Sequence, residues 1–149
     1  MARVLAEQKL FAAVYSVATV LNSGLAANCV DIAIMGDGYR SIDLAGYRTK
    51  VASFTNMILD YSPLDEYKNY FNVHRIDVAS VSSGVDNDPT QGISRNTALN
   101  SYYYSYYWCG GTQRLICTDV TKVGLVARAA PGYDQKLVLI KSNTWGGAG

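Results

Sequence analysis

Histidine is the side chain that most often binds zinc or moves protons near neutral pH, and this 149-residue sequence has one, His74. With Cys29, Cys109 and Cys117 it could in principle compose a Cys₃His zinc site. Structural zinc sites use close pairs such as C-x₂₋₄-C. The separation of Cys109 from Cys117 is wider, and Cys29 and His74 stand alone, so the spacing argues against such a site. Cys109 and Cys117 flank Gly110-Gly111-Thr112-Gln113-Arg114. A disulfide closing that loop, which would imply an oxidising compartment, and a pair of reduced thiols are both compatible with the spacing. Cys29 lies in an apolar run and reads as a small buried residue.

Three further stretches carry polar or aromatic groups in suggestive order. Gly36-Asp37-Gly38-Tyr39 follows an apolar run and could be a ligand turn at a strand end. Glycines that permit positive φ and an aspartate that caps a turn serve a plain structural purpose equally well, and that reading is favoured. Asp86-Asn87-Asp88 with Thr90 and Gly92 spaces oxygen ligands as calcium loops do. The terminal bidentate glutamate is missing and Pro89 intrudes, which favours a solvated Asx-rich loop. Tyr102, Tyr103, Tyr104, Tyr106, Tyr107 and Trp108 form a dense aromatic run. Six aromatics in seven positions cannot all be buried in one strand, so a binding face and an edge strand packed over the core both stand.

The elements that would position these groups follow from periodicity. Residues 3–14 are rich in Ala and Leu and predict a short helix. Residues 15–21 predict a strand ended by Asn22-Ser23-Gly24. Residues 30–35 predict a buried strand running into the Gly36 turn. Leu44, Tyr47, Val51, Phe54 and Ile58 recur at helical spacing, with Ser41 as N-cap and Asp43 in the first turn. Ser62-Pro63 ends that helix, and one short turn is expected within 65–70. Residues 71–79 predict a strand whose apolar parity switches at His74-Arg75. Either a bulge lies there or both faces are buried. Residues 80–100 predict a long loop, of the kind that is often functional. Thr118 or Asp119 caps a helix reaching Ala129, with Val120, Val123 and Ala127 on one face, stopped by Pro131-Gly132. Residues 137–140 form a last core strand.

Strand, helix, strand, helix, strand is the pattern of an α/β layered domain with a mostly parallel sheet and flanking helices. The length suits a single domain over 1–149, with 1–14 as an N-terminal extension. Hydrophobic residues make up 49% and charged residues 17%, which places the chain among globular proteins rather than disordered ones. The net charge is +1 and the basic residues are scattered, which leaves no stripe to neutralise phosphates and argues against nucleic-acid binding. No stretch approaches the roughly 20 apolar residues of a membrane span. The apolar start is interrupted by Glu7 and gives no convincing signal peptide.

Four stretches in order resemble the catalytic domain of the IgA peptidase family, metzincin-like zinc endopeptidases that are typically bacterial and secreted. Asn28 to Tyr39 is similar to the strand and turn that open that domain. Tyr67 to Val73 with Asp77 to Val85 resembles its Y-x-x-x-F-N-V strand and S-x-x-S-G-V loop. Asn96-Thr97-Ala98-Leu99 resembles its T-A-L segment. Tyr133-Asp134 through Asn143, then Gly146-Gly147-Ala148-Gly149, resembles its Y-D…Y-G-G-x-G edge, with Trp145 where tyrosine is usual. The likeness runs from about Val20 to Gly149.

The resemblance implies an N-terminal metzincin-like subdomain over 15–149 and a substrate-holding edge at Asn143, Trp145, Gly146 and Gly147. In the family a helix carrying H-E-x-x-H follows that edge and binds zinc through two imidazoles one turn apart. One histidine cannot supply that pair. The resemblance therefore implies scaffold rather than catalysis, with no catalytic residue and no metal ligand in this chain. Zinc is expected only in full-length family members, in a secreted or periplasmic setting. Two functions follow as expectations. The chain is either the non-catalytic part of a peptidase domain, whose partner is the missing C-terminal half, or a self-associating or protein-binding α/β module.

Overall fold

A computed structural model describes residues 14–103, 112 and 114–148. Its centre is a four-stranded sheet in the order β1-β3-β2-β6, comprising β1 (Val14–Leu21), β2 (Val30–Asp37), β3 (Phe71–Val78) and β6 (Gln135–Ile140). Strand β2 runs parallel to both neighbours, and β1 runs antiparallel to β3. Two-residue strands β4 (Tyr102–Tyr103) and β5 (Ile116–Cys117) form a separate antiparallel ribbon. The helices are α1 (Leu44–Leu59), the single turn α2 (Leu64–Tyr67) and α3 (Val120–Ala127). The expected α/β layering with a mostly parallel sheet is therefore what the chain adopts.

The layering follows from strand parity. Ile34 and Val73 face Leu44, Tyr47, Val51 and Leu59 of α1 and form one core. Ala33, Met35, Ile76 and Val78 face Val123, Val126 and Ala127 of α3 and form the other. The chain leaves β2 through α1 to reach β3. It then returns past β2 to β6 with α3 on the opposite face. The two crossovers diverge between β2 and β6, and at such a switch the carboxyl ends of parallel strands open a crevice.

Several elements depart from the sequence reading. Residues 3–13 lie outside the described residues, and Val14, placed in the N-terminal helix by composition, opens β1. Strand β3 is buried on both faces, which resolves its mixed parity without a bulge toward β2. The register shifts lie instead in its pairing with β1. Ser41 is not an N-cap; it begins a 3₁₀ turn (Ser41–Asp43) in which the Asp43 carboxylate accepts from the Arg40 amide. In α1, Thr55 and Leu59 are buried where Phe54 and Ile58 are only partly so.

Helix α3 stops at Ala127 rather than Ala129, and Asp119 caps it by accepting from the amides of Thr121 and Lys122. Val120, the first residue of the helix, is 80% exposed rather than core-facing, and Val126 joins Val123 and Ala127 on the buried side. Strand β6 starts two residues earlier than apolar character suggests, since its first residues are exposed at the edge.

Candidate functional site

Three aspartates on the sheet are almost wholly buried, and each is matched by donors, as burial of a charge demands. Asp37, at the end of β2, accepts from the Ser80 hydroxyl at 3.0 Å and from the amides of Leu99 and Ser101 at 3.0 and 2.9 Å. Asp77 accepts from Ser16, from Arg48 of α1 and from Arg75 beside it. Asp31 accepts from Asn72 Nδ2 at 3.1 Å and meets His74 Nε2 at 2.9 Å.

The His74 ring is engaged at both nitrogens. A carboxylate only accepts, so Nε2 donates to Asp31, and Nδ1 lies 3.0 Å from the Thr19 hydroxyl, which can donate or accept. The imidazole side chain is 6% exposed. No lone pair is left facing a metal.

Gly36-Asp37-Gly38-Tyr39 is placed as a structural junction. Gly36 packs against the rings of Tyr39 and Tyr47. Gly38 sits at φ +76°, and a Cβ there would stand 2.3 Å from the Gly84 carbonyl oxygen. Its backbone pairs with Ser80 and Gly84. Tyr39 is buried, and that burial raises its phenol pKa. The Asp86-Asn87-Asp88 oxygens are likewise turned to internal partners: Asp86 to the Arg95 amide, Asn87 to the Gly92 amide and Asp88 to the Thr144 hydroxyl.

The segment after β6 is held from beneath by Tyr103, whose hydroxyl lies 3.0 Å from Ser142 Oγ and 2.8 Å from the Thr144 carbonyl oxygen. Tyr103, expected within an aromatic contact surface, is 3% exposed and acts as this post. Tyr102 is half-buried. Tyr104, Tyr106, Tyr107 and Trp108 lie outside the described residues, as does Cys109. Cys117 is disulfide-bonded, whereas Cys29 is a free and only half-buried thiol, less enclosed than its apolar surroundings suggest.

Gly146 fits where a Cβ would meet Tyr103 at 2.5 Å and the Arg114 carbonyl oxygen at 2.6 Å, and the Gly147 amide donates to that same carbonyl. Trp145 is 77% exposed, with the Arg114 guanidinium 4.9 Å from its ring centre.

Two cavities flank this segment and share Pro89 and Thr144 in their walls. One, about 280 Å³, is lined by Asn87, Pro89, Tyr103, Arg114, Thr144 and Trp145. The other, about 500 Å³, opens at the carboxyl ends of β2 and β6 and is lined in part by Lys50, Gly84, Arg95, Lys141 and Asn143. Lys141 bridges Ser83 Oγ and the Asp43 carboxylate. Lys141, then Arg40, hold the Asp43 carboxyl well below the usual carboxylate range.

Of the sequence-nominated positions, the structure gathers Asn143, Trp145, Gly146, Gly147 and Tyr103 at one edge. The Gly36 turn lies apart, at the base of the loop. Lys50, Arg95, Arg114 and Lys141 were missed because isolated basic residues read as solvated surface. Only the position of Lys141 directly after an apolar strand marks it in the sequence.

A layered α/β domain with a cleft-flanked edge at the carboxyl end of its sheet defines the class. The family model described as IgA Peptidase M64 matches residues 18–149, and the chain belongs to that family. The likeness read from the four motifs is thereby borne out, and the domain is peptidase-like. No curated protein matches the chain significantly.

The zinc of full-length family members does not fit the residues described. The sequence's one histidine is enclosed by Asp31 and Thr19. Among the described residues no three His, Cys, Asp or Glu side chains gather as a metal would require.

Proposed function

We propose that these 149 residues are the scaffold part of a zinc metallopeptidase-like domain, shaped to hold a peptide along the edge after β6 and not competent for hydrolysis by themselves. One observation carries this reading: the single imidazole is locked between Asp31 and Thr19. Zinc chemistry of this kind needs an imidazole pair and a carboxylate base. The partner in this reading is the segment that bears H-E-x-x-H, outside residues 1–149. The purified chain, assayed on peptide substrates with added zinc, should show no cleavage and no stoichiometric metal by elemental analysis. Zinc-dependent turnover that a chelator abolishes would reject the proposal.

A bacterial, secreted or periplasmic setting is part of the same proposal, supported by the family and by the disulfide at Cys117. A second reading is favoured by a separate observation. Among the described residues β6 is an edge of the sheet with no partner on its outer side, and such edges recruit strands from other chains. Self-association through β6 predicts a dimer in light scattering. A monomer at high concentration would exclude it.

A further inference from the structure

We propose that the larger cleft, at the carboxyl ends of β2 and β6, is a subsite for a carboxylate borne by a peptide. Its position is the first argument. The crossovers through α1 and α3 diverge there, and ligands of open α/β sheets bind in that crevice.

Its charge is the second argument. Lys50, Arg95 and Lys141 line the cleft, and Asp88 is the carboxylate among its walls. Lys141 is committed to Asp43 and Ser83, and Asp88 already accepts from Thr144. Neither Lys50 nor Arg95 has a carboxylate partner among the described residues. Arg95 is fixed by its Nε bond to the Val85 carbonyl at 3.2 Å and lies over Gly84, where a Cβ would come within 3.1 Å of that nitrogen.

A guanidinium held by one nitrogen keeps its remaining donors for a planar anion. The exposed Lys50 ammonium on α1 supplies a mobile second charge, and Asn143 adds a side-chain amide to the wall. A volume of about 500 Å³ is ample for a carboxylate side chain with adjoining backbone.

This inference rests on the peptide-holding reading for its choice of ligand, but not on the absence of catalysis. A carboxylate can come from an internal acidic side chain or from a chain terminus, and the arms of the test separate them. The full chain is titrated by NMR with four probes: a doubly capped peptide containing glutamate, its glutamine counterpart with a free C-terminus, the doubly capped glutamine peptide, and inorganic phosphate.

Either carboxylated peptide should bind about tenfold more tightly than the neutral one, with shifts centred on Lys50 and Arg95. The tighter of the two identifies the source. Added salt and Lys50→Gln, a surface change that leaves the fold intact, should each weaken that binding severalfold. Arg95→Lys should weaken it as well by removing the planar fork.

Equal affinity for the neutral peptide, phosphate binding tighter than both carboxylates, or indifference to Lys50→Gln would overturn the subsite. Zinc-dependent cleavage would overturn the scaffold reading and leave the carboxylate preference untouched.

Discussion

Asp37 is 0% exposed, yet nothing in its local sequence marks it as the anchor of a segment more than sixty residues away. A carboxylate next to glycine reads as a turn residue, and its buried role depends on Ser80, Leu99 and Ser101 arriving from outside the local window. Asp31 and Asp77 escaped notice for the same reason: acidic residues within strands read as solvent-facing until the partners on β1, β3 and α1 are known. Asp37→Ala leaves the amides of Leu99 and Ser101 and the proton of the Ser80 hydroxyl without an acceptor. At about 1–3 kcal/mol each, urea denaturation should show a loss on the order of 3 kcal/mol or more.

Asp43 supplies a pH test. Lys141 and Arg40 lower its folded-state pKa, so its stabilising contribution is present above the unfolded carboxylate value, about 3.9. It disappears as pH falls through the lower folded value. Asp43→Asn should therefore be less stable than the parent at neutral pH, and the gap should close below about pH 4. A gap that stays constant into acid would contradict the pairing with Lys141.

Among the elements, α1 and β2 were the most legible, because a three-four apolar repeat and a continuous apolar run each admit one packing solution. The antiparallel direction of β1 was not legible, since pairing direction depends on connections that no strand contains. Strand β4 was hidden at the start of an aromatic run whose composition suits either an edge or a surface, and β5 is only two residues long.

Tyr47 shows how an element is tied to the sheet. Its hydroxyl lies 3.0 Å from the carbonyl oxygens of both Ile34 and Ile76, and burial, the largest cause, pushes its pKa far up. Tyr47→Phe should cost about 1–3 kcal/mol by removing the one buried donor that those carbonyls share, readable as a lower Tm. Asp119→Ala, which removes the α3 cap, should cost about 1 kcal/mol.

Across the whole molecule, the edge after β6 depends on parts distant in sequence: Tyr103 beneath it, Arg114 beside it and Asp88 across it. Gly146→Ala inserts a methyl where Tyr103 and the Arg114 carbonyl already stand. It should shift the Trp145 fluorescence while leaving far-UV circular dichroism unchanged.

The Asp37 anchorage also bears on solvent access. Residues 80–101 carry no helix and no extended ladder, the usual mark of amides that exchange quickly with deuterium. The Leu99 and Ser101 amides point at a buried carboxylate, so their protons can leave only when the centre of the protein opens. They should exchange as slowly as those of β2 and β3, behaving in time as core although they look in outline like loop.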